Sequence, residues 1–165
     1  SADPERRLRL VGEDASAASL HRTESRERSV VVGGSEVRAL ADRYLREQYT
    51  VDGMVVCQAC HEPSQFKVND LAYFEKVQFV PGRKYLHHQS ALALCPLCAA
   101  KYKHVRMPDD DGLVANMLAL EVAAGAGTAT LPIALNGVRV ELRFTGKHAI
   151  DVKAVLSVAG EARCE

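Results

Sequence analysis

This chain of 165 residues contains no tryptophan, only 5% aromatic residues and no excess of either charge, with 21 Lys and Arg against 21 Asp and Glu. A zero balance removes the global field that a wholly basic nucleic-acid binder or an acidic tail carries. No apolar run approaches the ~20 residues that a bilayer-crossing helix needs. The opening "SADPERRLRL" lacks the apolar centre of a secretory signal. We therefore expect a cytoplasmic chain with no membrane partner. An initiator methionine is also missing, so the chain reads as a piece of a longer protein.

Apolar residues make up 47% and charged residues 25%, an ordinary globular balance in a chain long enough to bury a core. The charge is unevenly spread. Residues 57–106 carry seven Lys or Arg against three acids, whereas the stretch from Met107 onward carries five against eight. A basic middle beside an acidic end points to an anionic partner for the middle.

Five cysteines are present, and four of them form the pairs Cys57-x2-Cys60 and Cys95-x2-Cys98, separated by 34 residues. Two thiolates held by one tight turn grip a single ion, and two such turns complete the four-sulfur tetrahedron of a structural zinc site. A redox CxxC normally occurs singly beside a βαβ pattern, which is absent here. A histidine ligand is the alternative, with His61, His87, His88 and His104 nearby, and an iron–sulfur cluster is a more distant one. A closed four-sulfur site leaves no position for water or substrate, so the zinc stabilises rather than catalyses. Cys164 reads as a spare thiol.

Three portions follow from the patterning. Residues 1–29 are rich in Arg, Glu, Ala and Ser and read as a flexible arm. Residues 30–106 begin with a short strand at "SVVV" and an amphipathic helix, "SEVRALADRYLREQY", with Val37, Leu40, Ala41, Tyr44, Leu45 and Gln48 on one face. The zinc-binding core follows, with a strand in "AYFEKVQFVP" and a helix after the second cysteine pair. Residues 107–165 form a helix over "DDDGLVANMLALEVAAG", a hairpin turning at Asn136-Gly137, and a closing helix with Ile150, Val152, Ala154, Val155 and Leu156 available for packing. The fold class expected is α+β, with a treble-clef-like four-cysteine site, flanking helices and a C-terminal β-hairpin.

The text "CQAC", "YFEKVQFVPG" and "LALCPLCAAKYKH", over residues 55–106, resembles the cysteine-bearing HNH endonuclease family. That resemblance implies a treble clef held by a four-cysteine zinc. It also implies catalytic positions that this chain does not fill. Val77 and Gln78 stand where the strand supplies the metal-activating group, with only Glu75 kept upstream. Ser90 stands near the family's Asn, and Ala99 replaces the His that follows the last cysteine. Hydrolysis of a phosphodiester by this route needs an imidazole to activate water and a further ligand for the divalent ion, and these side chains provide neither. A looser similarity, carried by "LALCPLCAAKYK" and "VELRFTGKHAIDVKAVL", is to the C-terminal regions of large bacterial proteins with a sacsin-type ATPase module.

Three functions are in view. The first is a non-catalytic zinc module of a larger bacterial protein, binding DNA through Arg83, Lys84, Lys101, Lys103, His104 and Arg106, with Tyr85 and Tyr102 interleaved. The second is a zinc-stabilised surface that docks a protein partner or other domains of the parent protein. The third is residual metal-dependent nuclease activity served by His87 and His88.

Overall fold

The computed structural model describes residues 3–7, 9–10, 12–16, 34–122 and 127–161. The chain forms two compact units, Ser1–Gly34 and Ser35–Glu165. In the first, the described residues 4–7, 9–10 and 12–16 are helical and exposed, and the Asp3 carboxylate accepts the Glu5 N–H at 3.1 Å. The remainder of the expected arm and the strand expected at "SVVV" lie outside the described residues, as does Cys164.

The second unit is a mixture of helix and sheet. Helix α1 (Gly34–Tyr49) leads through short strands β1 (Thr50–Val51) and β2 (Met54–Val55), then β3 (Lys67–Val68) and β4 (Leu71–Ala72). Strands β5 (Glu75–Gln78) and β6 (Ala91–Leu94) follow, separated by two 3-10 turns at Arg83–Tyr85 and His88–Ser90. Next come α2 (Pro96–His104), β7 (Arg106–Met107), α3 (Asp110–Ala119), β8 (Thr128–Leu135), β9 (Val138–Thr145) and α4 (Gly146–Glu161). The α3 helix stops at Ala119, short of the "LEV" expected to continue it.

Tight turns fix the strand pairs. Asp52-Gly53, Asn69-Asp70 and Asn136-Gly137 all take positive φ, from 51° to 78°, the geometry of a two-residue hairpin turn. Of the three, only Asn136-Gly137 lies between runs long enough to signal a hairpin in the sequence. β8 and β9 pair antiparallel along all eight residues, from Thr128 opposite Thr145 to Leu135 opposite Val138. Strand β7 adds to the outer side of β8, with Arg106 opposite Leu135.

All four residues of β6 are buried, and its two faces serve different neighbours. Ala91 and Ala93 pack with Ala41, Tyr44, Leu45 and Tyr49 of α1. Leu92 and Leu94 join the larger core of Tyr102, Leu113, Leu142, Phe144, Val152 and Leu156. Alternation along the strand thus puts alanine where α1 must come close and leucine where the core is thick. Burying each leucine stabilises the fold by about 1.5–3 kcal/mol. Three residues expected on packed faces are turned outward: Leu40 is 43% and Ile150 56% exposed, and Ala154 is exposed as well.

Buried polar groups connect the layers. His148 is fully buried; its Nε2–H donates to the Gln89 carbonyl at 3.1 Å, while Nδ1 accepts from the Tyr49 hydroxyl at 2.5 Å. The Tyr49 oxygen in turn accepts the Thr145 N–H. These partners fix the neutral tautomer, and burial lowers the imidazole pKa to about 4. Among the described residues no helix is long and apolar enough to cross a membrane.

Candidate metal centre

The first cysteine pair sits in a turn after β2. Val56 pairs with Pro63, the Cys57 N–H donates to the Glu62 carbonyl at 2.9 Å, and the His61 N–H returns to the Cys57 carbonyl at 3.0 Å. His61 closes the turn with a φ of 63°. The second pair straddles the start of α2. Cys95 caps the helix, its sulfur accepting the Cys98 N–H at 3.4 Å, and Pro96 at the first helical position supplies a pre-set φ with no N–H to leave unpaired. The positive end of the helix dipole therefore lies beside the sulfurs.

These two turns bring the ligand atoms of Cys57, Cys60, Cys95 and Cys98 within 4.8 Å of one another. The Cys60 and Cys95 sulfurs are 3.9 Å apart, close to the ~3.8 Å edge of a tetrahedron with metal–sulfur bonds of about 2.3 Å. None of the four forms a disulfide. Hydrogen bonding from the Cys98 thiol lowers the Cys57 thiol to about 4, and the same contact drives Cys98 up. Burial pushes Cys60 up to about 11. A bound dication replaces the protons that the cluster otherwise shares, turning all four groups into thiolate ligands. The donor set and spacing therefore fit a metal ion.

The first turn is fastened to two sheets by a residue that the spacing gave no reason to notice. Gln58 is 1% exposed. Its backbone N–H donates to the Ala93 carbonyl and its carbonyl accepts the Arg143 N–H. Its side-chain oxygen accepts the Ala93 N–H and its side-chain nitrogen donates to the Arg143 carbonyl, both at 2.8 Å. All the polar groups of Gln58 thus join β6 to the free edge of β9. His61 adds a bond from Nε2 to the Glu141 carbonyl at 2.8 Å, so this histidine serves the sheet edge. His104 is exposed at the end of α2.

The residues at which the sequence resemblance expected catalytic groups make other contacts. Ala99 is buried in the main core at 2% exposure. Ser90 is also buried and is hydrogen bonded to Gln78 and to the Tyr85 and His87 carbonyls. His87 and His88 stack on each other at 4.5 Å. His87 lines a groove with Lys84 and Asp151, whereas Val77 and Gln78 line another.

The cations expected at a nucleic-acid face are divided among these surfaces. Lys103 and Arg106 line a groove of about 580 Å³ with Arg38, Lys76, Val77, Gln78 and Asp110. Lys101 borders a second groove, of about 470 Å³, beside Cys60 and Cys95. Lys84 lines a third with His87, and its ammonium stands 4.7 Å over the Tyr85 ring. Arg83 belongs to the first 3-10 turn, and its side chain lies outside the described part. Arg38 and Lys76 were not among the expected contacts; they come from α1 and β5, far from the cysteines in sequence, and only the fold brings them beside α2.

No protein family, curated protein or solved structure matches this chain.

Proposed function

We propose that this chain is a non-catalytic zinc-binding module of a larger bacterial protein and that it binds nucleic acid, DNA foremost, through basic residues around α2. The observation that carries this reading is the helix itself: α2 starts at two of the clustered cysteines and ends in Lys103 and His104. A treble-clef-like zinc site would fix that helix rigidly and offer its charged end to a phosphate backbone. Zinc suits four thiolates at this spacing, and its role is structural. The aligned catalytic positions, filled by Val77, Gln78 and Ala99, support binding without cleavage.

The test is a duplex-DNA titration of the metal-loaded chain at several salt concentrations, after metal analysis. One zinc per chain and an affinity that falls as salt rises are expected. Absence of binding at low salt would overturn the reading.

A second reading, a surface that docks a protein partner, rests on a separate observation. Phe66 and Leu97, 49% and 64% exposed, line the groove beside Cys60 and Cys95 together with Pro63 and Pro96. Phe66 is stacked on Tyr73 at 4.8 Å, which holds its ring in place. Placing Asp at Phe66 and Leu97 should abolish partner binding and leave DNA binding intact if this surface is the functional one.

A further inference from the structure

Four cations from separate parts of the chain converge on the groove formed by α1, β5, α2 and the residues after it: Arg38, Lys76, Lys103 and Arg106. Asp110 is the one carboxylate in the lining, and it pairs with Arg106. Lys76 shares the Asp42 carboxylate with Arg46, at 3.1 Å and 2.8 Å, so two cations divide one negative charge. Burial alone would raise Asp42, but hydrogen bonds from Arg46 and Lys76 hold it below its ordinary carboxylate value. Arg38 and Lys103 make no ion pair among the described residues. Four cations against Asp110 leave an excess of three; adding Arg46 and Asp42 to the tally leaves it at three.

The geometry is pre-set on one side and adaptable on the other. The Arg106 guanidinium lies 4.6 Å from the centre of the Tyr102 ring and also donates to the Pro108 carbonyl, which fixes its plane. Lys103 and Arg38 are exposed and free to close on a ligand. The groove's volume of about 580 Å³ falls in the ~300–1,000 Å³ range of small-ligand sites.

We infer that this groove is a phosphate-binding site, that Arg38, Lys76, Lys103 and Arg106 form it, and that its ligand is the phosphodiester backbone of a nucleic acid. The inference rests on the nucleic-acid reading above and narrows it, because Lys84 and Lys101 line other grooves and take no part. It also brings in Arg38 and Lys76, which the linear run of basic residues around α2 leaves out. A guanidinium held flat beside ammonium groups grips phosphate oxygens without regard to base identity.

The experiment titrates the metal-loaded chain with a DNA duplex and, separately, with inorganic tripolyphosphate. It compares wild type with an Arg38→Ala/Lys103→Ala variant and a Lys84→Ala/Lys101→Ala variant, after metal content shows that all three are folded. The groove variant should lose tenfold or more in affinity for both probes, and its salt slope for DNA should fall by about two, one for each lost phosphate contact. The comparator should change less than threefold. Wild type that ignores tripolyphosphate, or a groove variant that binds it unchanged, overturns the site. DNA binding that survives in the groove variant but is lost in the comparator overturns the site and leaves the nucleic-acid reading standing. Groove-dependent tripolyphosphate binding without DNA binding supports the phosphate site and overturns the nucleic-acid source.

Discussion

Between Thr50 and Ala72 the chain makes four strands of two residues each, whereas β8 and β9 run eight residues each and pair along their whole length. The long strands bury Leu131, Ile133, Leu135, Leu142 and Phe144 against Val152 and Leu156 of α4. The cysteine turns contribute Cys57, Ala59 and Cys98 to the same core and little else. One end of this unit is therefore held by apolar burial, which scales with area. The other consists of turns fastened by Gln58 and closed around four sulfurs arranged to fit a metal ion. A small irregular segment can be positioned by a metal and by hydrogen bonds without a core of its own.

Metal removal should separate the two ends most sharply. A structural zinc in such a site supplies on the order of 10–16 kcal/mol at neutral pH. Chelation, or Cys98→Ser, should release amide protection at residues 54–66 and 95–99 while β8 and β9 keep theirs, as read by hydrogen exchange. Simultaneous loss at both ends would mean that the cysteine turns also hold the long strands together.

Next in size is the link between the ends. Gln58→Met keeps the side-chain volume but strands the Ala93 N–H and the Arg143 carbonyl, each an unsatisfied group costing about 1–3 kcal/mol. We expect a loss of about 4 kcal/mol in a urea titration of the metal-loaded protein, with the metal retained. A loss below 1 kcal/mol would show that water replaces the amide and that the metal alone places the turn.

Acid acts on the opposite end through His148. Its folded pKa of about 4 lies below the unfolded value of about 6.5, so between those values the unfolded chain binds the extra proton. Stability from the neutral imidazole is complete above pH 6.5 and is lost as pH falls toward 4, by about 3 kcal/mol in all. Acid also protonates thiolates, but that loss is common to wild type and His148→Gln and cancels between them. The difference in urea midpoint between the two proteins should therefore shrink as the solution is acidified. A constant difference would mean that His148 is protonated inside the fold.

The two ends were also unequally legible from the residues. The pattern Cys57-x2-Cys60…Cys95-x2-Cys98 announced the four-cysteine cluster because coordination chemistry constrains spacing directly. Helix α1 and the pairing of β8 with β9 were visible through periodicity and Asn136-Gly137. The turns Asp52-Gly53 and Asn69-Asp70 carried a related signal, but strands of two residues leave no alternation to read. Gln58, His148 and the convergence of Arg38 and Lys76 on α2 had no local signal. Gln58 and His148 depend on partners 35 or more residues away, Arg38 and Lys76 meet α2 only in the folded chain, and such pairings are set by tertiary packing.

The smallest effects separate structure from binding within a single groove. Arg106 has a side chain only 10% exposed, and its stem and guanidinium cover the Tyr102 ring, so Arg106→Ala removes packing as well as charge. A loss of about 1–2 kcal/mol is expected, reduced because Asp110 is freed into water. Lys103 and Arg38 touch no partner carboxylate, and replacing either with Ala should move stability by no more than about 0.5 kcal/mol. Thermal melts of the three single variants read this order directly. Equal losses at all three positions would mean that the exposed cations also brace α1 against α2; a silent Arg106→Ala would mean that the Tyr102 ring needs no cover, leaving all four cations for the ligand.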